Sequence, residues 1–426
     1  MPYRFVHTAD IHLDSPLRSL ALRNPDLAEL IGNATRRAFT TIIDICIEEQ
    51  VDALMIVGDL YDGDQTSMKT AGFLAAQIRR LDQAGTRVFI VRGNHDALSK
   101  ITKELILPEA VKVFGGRAEI VTLDRAAGGL DVAVHGISFS RPHAPDSLLP
   151  KFKAPVDGAV NIGLMHTSIA GAPGHDVYAP CGVSDLTAAG FDYWGLGHVH
   201  KREIHSATPA IVMPGMPQGR DINEAGAKSV TLVTIGDDRS VHLDERLTCV
   251  AQFERVPVDL SDVGEWRDMV ASIGAALEKA RERTSSDHLV ARLSVTGATP
   301  LAWRIRRDAD LLKEEADARA TAIGNTWVEK IEVDCLPPAT EASTAVAMPI
   351  VELRELITNE VAGSDVYKAT AREIVQELQS QLPLKIRRIF GEDEVAFNKI
   401  VERLTAEGCE DVLARLRERI ADEEAV

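Results

Sequence analysis

The tightest constraint on this chain is a set of short apolar runs, each ending on a side chain that can bind a metal. The last is Gly195-Leu196-Gly197-His198-Val199-His200, at the end of the apolar run from Phe191 to Leu196. If that run is a strand, its two imidazoles project from one face at its end. Upstream, Asp10-Ile11-His12, Gly58-Asp59, Gly93-Asn94-His95-Asp96 and Met165-His166-Thr167 each close a run that reads as a buried strand. One Asp or His at a strand end is usually a cap or a satisfied polar group. Five such endings in one chain require a common explanation.

Helices alternate with these runs. Residues 3–9 read as a strand, and 26–50 carry apolar positions at helical spacing (Ala38, Ile42, Ile45, Cys46). The run 53–57 is continuously apolar, as in a strand covered on both faces. A helix over about 66–84 stops at Gly85, and a strand over 88–91 follows. This order predicts a layered α/β domain with sites at the strand ends. Further strands are expected within 118–139 around a Gly128-Gly129 turn, and at 160–165, 191–196, 210–213 and 230–235. Residues 142–158 and 168–182 read as loops, the second beside the site.

The first domain is expected to span 1–250. Residues 251–336 change rhythm: strand 253–258, helix 262–283, strand 289–296, helix 300–316, strand 327–333. Residues 337–349 are small, polar and proline-bearing, and read as a linker. Residues 350–426 are charged and helical in pattern. Val401, Leu404, Val412, Leu413, Leu416 and Ile420 form an apolar stripe there, suited either to packing on its own domain or to binding a partner. No internal repeat is evident.

Composition narrows the class. The 426 residues are 45% hydrophobic and 26% charged, an ordinary globular balance with room for two or three domains. Five cysteines occur without a CxxC pair, which argues for a reducing compartment. No signal-like or 18-residue apolar span is present, so a cytoplasmic protein without a membrane partner is expected. The net charge of −17 removes any argument from a basic chain. Local basic clusters remain at Arg36-Arg37, Lys201-Arg202, Arg304 with Arg306-Arg307, and Lys385 with Arg387-Arg388, each as readily solvated surface as a binding patch.

The donors fit a pair of divalent cations. Two such ions about 4 Å apart neutralise a phosphate ester and supply hydroxide at neutral pH. Asp59 is the natural bridge. Asp10, His12 and one of His198 and His200 would complete one sphere; Asn94, His166 and the other histidine would complete the second. Imidazole and carboxylate suit manganese, iron or zinc better than calcium. His95 would face the phosphate and act as a catalytic acid, with Asp96 orienting its ring.

These motifs resemble the calcineurin-like metallophosphoesterase superfamily (DxH, GD, GNHD, a single His, GHxH). The similarity extends to the nuclease subunit of bacterial SbcCD complexes and its YhaO-like branch. It is carried by FVHTADIHLDSPL, IVGDLYDGDQ, VRGNHD, LMHTSIAG, YWGLGHVHKRE and MPGMPQGRDINEAGAKSVTLV, within residues 4–235. The resemblance implies an α/β (α+β) fold: a four-layer β-sandwich flanked by helices, then a small α/β capping domain and a C-terminal helical region. It assigns Asp10, His12, Asp59 and His200 to one metal, and Asp59, Asn94, His166 and His198 to the other. His95 becomes the catalytic histidine. Manganese is the implied ion, with iron, zinc or magnesium as alternatives. The implied partners are DNA and an SMC-like coiled-coil ATPase; a second copy of the chain is a further expectation.

The leading expectation is therefore a metal-dependent DNA nuclease, exo- or endonucleolytic, in double-strand break repair. The rivals are a small-molecule phosphoesterase (a nucleotidase or cyclic-nucleotide phosphodiesterase) and a non-catalytic scaffold. The roughly 175 residues beyond the first domain favour a macromolecular substrate.

Overall fold

The computed structural model describes residues 2–15, 25–62, 67–97, 107–124, 129–169, 178–338, 352–353, 355–382, 387–391 and 393–424. Residues 170–177 of the expected site loop and 339–349 of the expected linker lie outside them. The chain divides into two compact units. The first holds Asp26–Phe253 with the N-terminal segment and Thr284–His288; the second holds Glu254–Arg283 and Leu289–Val426.

The first unit is built on two six-stranded sheets. Its elements begin β1 (Tyr3–Thr8), α1 (Pro25–Glu48), β2 (Ala53–Val57), α2 (Met68–Gln83), β3 (Arg87–Val91) and β4 (Val111–Val113). They continue through β5 (Glu119–Leu123), β6 (Val132–Ile137), β7 (Val160–His166), α3 (Val183–Ala188) and β8 (Tyr193–Gly197). The unit's last strands are β9 (Glu203–Ala207), β10 (Ala210–Met213), β11 (Ser229–Ile235) and β12 (Val241–Leu247). One sheet runs β12-β11-β1-β2-β3-β4, the other β5-β6-β7-β8-β10-β9.

Alternation along the strands explains the layering. In β2, Leu54 and Ile56 pack with Phe39, Ile42 and Ile43 of α1 and with Leu74 and Ile78 of α2. Their neighbours Met55 and Val57 face the other sheet, meeting Val134, Ile162, Leu164 and Tyr193. That sheet's far face buries Met165, Trp194, Leu196 and Ile211 with Leu186 of α3. Each fully buried aliphatic or aromatic side chain contributes roughly 1.5–3 kcal/mol. A strand covered on both faces must be apolar throughout, as 53–57 is.

The strands that carry the motifs are mutually parallel within each sheet. β1, β2 and β3 pair in parallel, as do β7 and β8. Their polar C-terminal endings therefore emerge together, as in other α/β sheets.

The second unit contains β13 (Ala251–Asp259, which begins in the first unit), α4 (Trp266–Arg283), β14 (His288–Ala298), α5 (Ala302–Arg307), α6 (Ala309–Ile323) and β15 (Thr326–Leu336). The sheet order is β13-β14-β15, with a core of Val258, Met269, Ile273, Leu293, Val295 and Leu312. The single helix expected over 300–316 is two helices. Asp308 leaves helical geometry (φ −99°, ψ 36°), and its carboxylate accepts bonds from Arg307 at 2.7 Å and Arg304 at 3.4 Å. Ile305, Leu312 and Ala316 keep apolar spacing across the break, so periodicity alone hides it.

The C-terminal residues form α7 (Asp365–Gln381) and α8 (Glu394–Glu424). α8 packs against α5 and α7 within the same unit. Of the expected stripe, Val401 and Leu413 are buried, whereas Val412 is 53% exposed. No helix among the described residues is long and apolar enough to cross a membrane.

Candidate metal centre

The loops after β1 and β2 run side by side. Asp10 N–H donates to the Gly58 carbonyl and His12 N–H to the Asp59 carbonyl, both at 3.0 Å. This pairing holds Asp10, His12 and Asp59 in the left-handed region, at φ 52°, 46° and 52°. Such non-glycine conformations cost on the order of 1–3 kcal/mol each and persist where surrounding bonds impose them. Two glycines permit the close approach. A Cβ on Gly93 would lie 2.2 Å from Asp59 Oδ1, and one on Gly58 would lie 2.0 Å from His166 Nδ1.

The expected donors converge in two groups, and a third cluster, His95 and Asp62, shares His12 with the first. Ligand atoms of Asp10, His12 and His200 lie within 4.8 Å of one another, as do those of Asp59, His166 and His198. Asn94 joins the second group, its Oδ1 3.1 Å from His166 Nε2. Every metal ligand expected from the sequence is therefore brought to one of the two groups.

Ring orientation tests whether these groups suit cations. His166 Nδ1 lies 3.0 Å from the Val57 carbonyl, which can only accept, so Nδ1 carries the proton. Nε2 then faces Asn94 Oδ1 and Asp59 Oδ2, the latter at 3.4 Å. In the first group, His12 Nδ1 lies 2.9 Å from Asp62 Oδ1, and His200 Nδ1 lies 2.9 Å from Glu224 Oε1. The two Nε2 atoms face each other at 3.2 Å. With both Nδ1 protons directed at carboxylates, two lone pairs oppose each other, an arrangement that a shared cation relieves. Carboxylates behind metal-bound imidazoles commonly orient them in this way. The donor set fits two divalent cations.

Electrostatics agree. Burial raises the pKa of Asp10 and lowers that of His12. Burial also opposes charge on His166, yet the adjacent Asp59 carboxylate carries its pKa up to about 9. Asp59 stays ionised despite its burial because His166 and His12 face it. A proton on His166 thus answers the buried negative charge that a cation would otherwise answer.

His95 differs from the other histidines of the site. Its side chain is 45% exposed, whereas those of His12 and His166 are buried. Its ring was expected to pair with Asp96. Instead Nδ1 lies 3.2 Å from Asp62 Oδ1. The fully buried Asp96 accepts the backbone N–H groups of Gly93 at 2.6 Å and Leu60 at 3.0 Å. Asp96 thus ties the loop after β3 to the loop after β2. The Asp62 bond raises the His95 pKa, while burial and then Asp59 push Asp96 up to about 7.

Asp62, Glu224 and Arg220 carry no role in the sequence reading, although all three fall within the stretches that carry the resemblance. The available signal was position alone: Asp62 three residues after Asp59, and two charged residues in the loop after β10. The basic clusters mostly serve the fold. Arg36 pairs with Asp14, Arg304 and Arg307 with Asp308, and Arg387 with backbone carbonyls. Lys201 is the exposed cation at the cleft, a cavity of about 750 Å³ also lined by His95, Asn94 and Tyr178.

Comparison with known proteins agrees with this geometry. Residues 3–202 match the calcineurin-like phosphoesterase family, and residues 253–336 match the middle domain of metallophosphoesterase YhaO. An uncharacterized metallophosphoesterase, YhaO of Bacillus subtilis, is 30% identical over 315 residues, covering 74% of this chain and 76% of the relative. The chain belongs to the calcineurin-like metallophosphoesterases. Among other relatives of this metallophosphoesterase, the DNA double-strand break repair protein Mre11 of Sulfurisphaera tokodaii is 21% identical over 382 residues, covering 82% and 92% of the two chains. A subunit of the nuclease SbcCD from Rhodobacter capsulatus is 33% identical over 135 residues, covering 31% of this chain and 30% of the relative. A metallophosphoesterase is a metal-dependent hydrolase whose family uses a dinuclear site, and the two donor groups are candidate ligands for one.

Proposed function

We propose that this metallophosphoesterase is a DNA nuclease that hydrolyses phosphodiester bonds with two divalent cations, manganese first among them. The observation that carries the reading is the pairing of buried and half-buried donors with one exposed histidine, His95, at a cleft. Asp10, His12, Asp59 and His200 would hold one ion, and Asp59, Asn94, His166 and His198 the other. Bound cations would neutralise the phosphate and activate the attacking oxygen. His95, whose pKa the Asp62 bond raises, donates its proton to the departing alkoxide. Lys201 at the cleft rim attracts the anionic ester. Asp96 braces the His95 loop against the loop after β2.

The Mre11 and SbcCD relatives support DNA as substrate. An SMC-like coiled-coil ATPase as partner follows from the resemblance of the motif stretches, and the cytoplasm as location from five cysteines without a CxxC pair. The exposed apolar side chains of the C-terminal helices, Val366, Ile374 and Val395, suit a helical partner. The capping role belongs to residues 251–336 and the partner-binding role to 350–426.

The net charge of −17 favours a second reading, a small-molecule phosphoesterase. Purified protein with Mn²⁺ is to be assayed on linear DNA, a DNA hairpin and a chromogenic diester. Cleavage of DNA is expected. Cleavage of the diester alone would move the assignment to small esters, and no cleavage by a metal-loaded chain would remove it.

A further inference from the structure

Behind the imidazoles of the first donor group lies a charged layer centred on Arg220. Its guanidinium forks onto Glu224, with Nη2 2.6 Å from Oε1 and Nε 3.2 Å from Oε2. That same Oε1 holds His200 Nδ1. On the other side, Arg220 Nη1 donates to Ser15 Oγ at 3.3 Å and lies 3.7 Å from Asp62 Oδ2. The Ser15 hydroxyl donates to Asp62 in turn, and Asp62 holds His12 Nδ1. One guanidinium therefore stands between the two carboxylates that aim the two opposed imidazoles.

The second donor group is built differently. The Nδ1 of His166 is held by the Val57 main-chain carbonyl, a neutral group where the first donor group has carboxylates. Side-chain carboxylates aim His12 and His200, and a main-chain carbonyl aims His166.

We propose that Arg220 is a positioning residue for one half of the metal centre, setting the His12 and His200 rings while leaving the His166 half unaffected. The inference rests on the two-cation reading. Arg220 and Glu224 are only 23% and 11% exposed, so little solvent competes for their contacts. A planar fork can bind one carboxylate bidentately while a third N–H reaches the opposite side. A lysine ammonium keeps the charge without that geometry.

The test is Mn²⁺ titration of the full chain, followed by calorimetry and electron paramagnetic resonance, for wild type, Arg220→Gln, Arg220→Lys and Glu224→Gln. Two binding events are expected in wild type. Arg220→Gln should weaken one of them about 10–100-fold, the scale of lost support behind a ligand, and leave the other within about threefold. Arg220→Lys should recover only part of the loss. Glu224→Gln, with Arg220 intact, should weaken the same event and carries the reading if Arg220→Gln does not fold. Equal weakening of both events, no weakening, or full recovery with lysine would overturn the inference. A wild-type chain that binds no Mn²⁺ would overturn the two-cation reading itself.

Discussion

His95 Nδ1 lies 3.2 Å from Asp62 Oδ1, and the same oxygen lies 2.9 Å from His12 Nδ1. One carboxylate thus serves both the exposed histidine at the cleft and a buried donor of the metal centre. Asp62→Asn removes the charge that raises the His95 pKa. At saturating metal, turnover should fall about 10–100-fold. Because His95 acts as an acid, activity declines as pH rises through its pKa. Lowering that pKa moves the alkaline limb of the pH–rate profile to lower pH. An unmoved limb would show that Asp62 does not set the protonation of His95.

His95→Ala leaves both donor groups in place, since His95 is in neither and only clusters with His12 and Asp62 beside the first. Metal content should stay at the wild-type value while turnover drops about 10²–10⁴-fold, the usual range for loss of a general acid. Metal analysis beside steady-state kinetics checks this. Wild-type rates in the variant would remove His95 from the chemistry.

Metal binding should release a proton. His166, with a pKa of about 9, is protonated at pH 7.5, and a ligating imidazole nitrogen must give up that proton. Affinity should therefore rise with pH up to about 9 and level off above it. Calorimetry in two buffers of different ionisation enthalpy should report close to one proton released at pH 7.5. Release of none would contradict the charge balance drawn for Asp59 and His166.

His7 makes stability pH-dependent. It is fully buried, with Nε2 3.0 Å from the Leu196 carbonyl and Nδ1 2.8 Å from the Tyr193 hydroxyl. Leu196 O can only accept, so Nε2 carries the proton and the ring is neutral. Burial lowers its pKa from 6.5 to about 3. Between these values the unfolded chain binds more protons, so acid favours unfolding. Stability should fall as pH drops from 6.5 towards 3, by about 5 kcal/mol at most from this group. Denaturant melts across that range should be flatter for His7→Asn than for wild type. Equal slopes would show that His7 is not held neutral.

The strand endings were legible because a strand buried on both faces is continuously apolar, and a polar residue at its end stands out. Asp10, Asp59 and His166 could be read in this way. β9, β12 and the three-residue β4 could not. Val241–Leu247 runs three charged residues together (Asp244, Glu245, Arg246) on a half-exposed edge, and Glu203–Ala207 has no buried face. Asp96 shows a different limit. It adjoins His95 in sequence, but the turn at 94–97 sends its carboxylate back to Gly93 N–H. Asp62 and Glu224 act only through rings supplied by distant segments, so nothing local marks them.

The proposed chemistry depends most on two cations sharing Asp59. The direct measurement is anomalous diffraction from crystals of the wild-type chain and Asp59→Ala, each equilibrated with Mn²⁺. Two peaks are expected in wild type, one beside Asp10, His12 and His200 and the other beside Asn94, His166 and His198, with Asp59 touching both; the variant should show neither at full occupancy. A single peak in wild type, peaks away from these residues, or full occupancy in Asp59→Ala would contradict it.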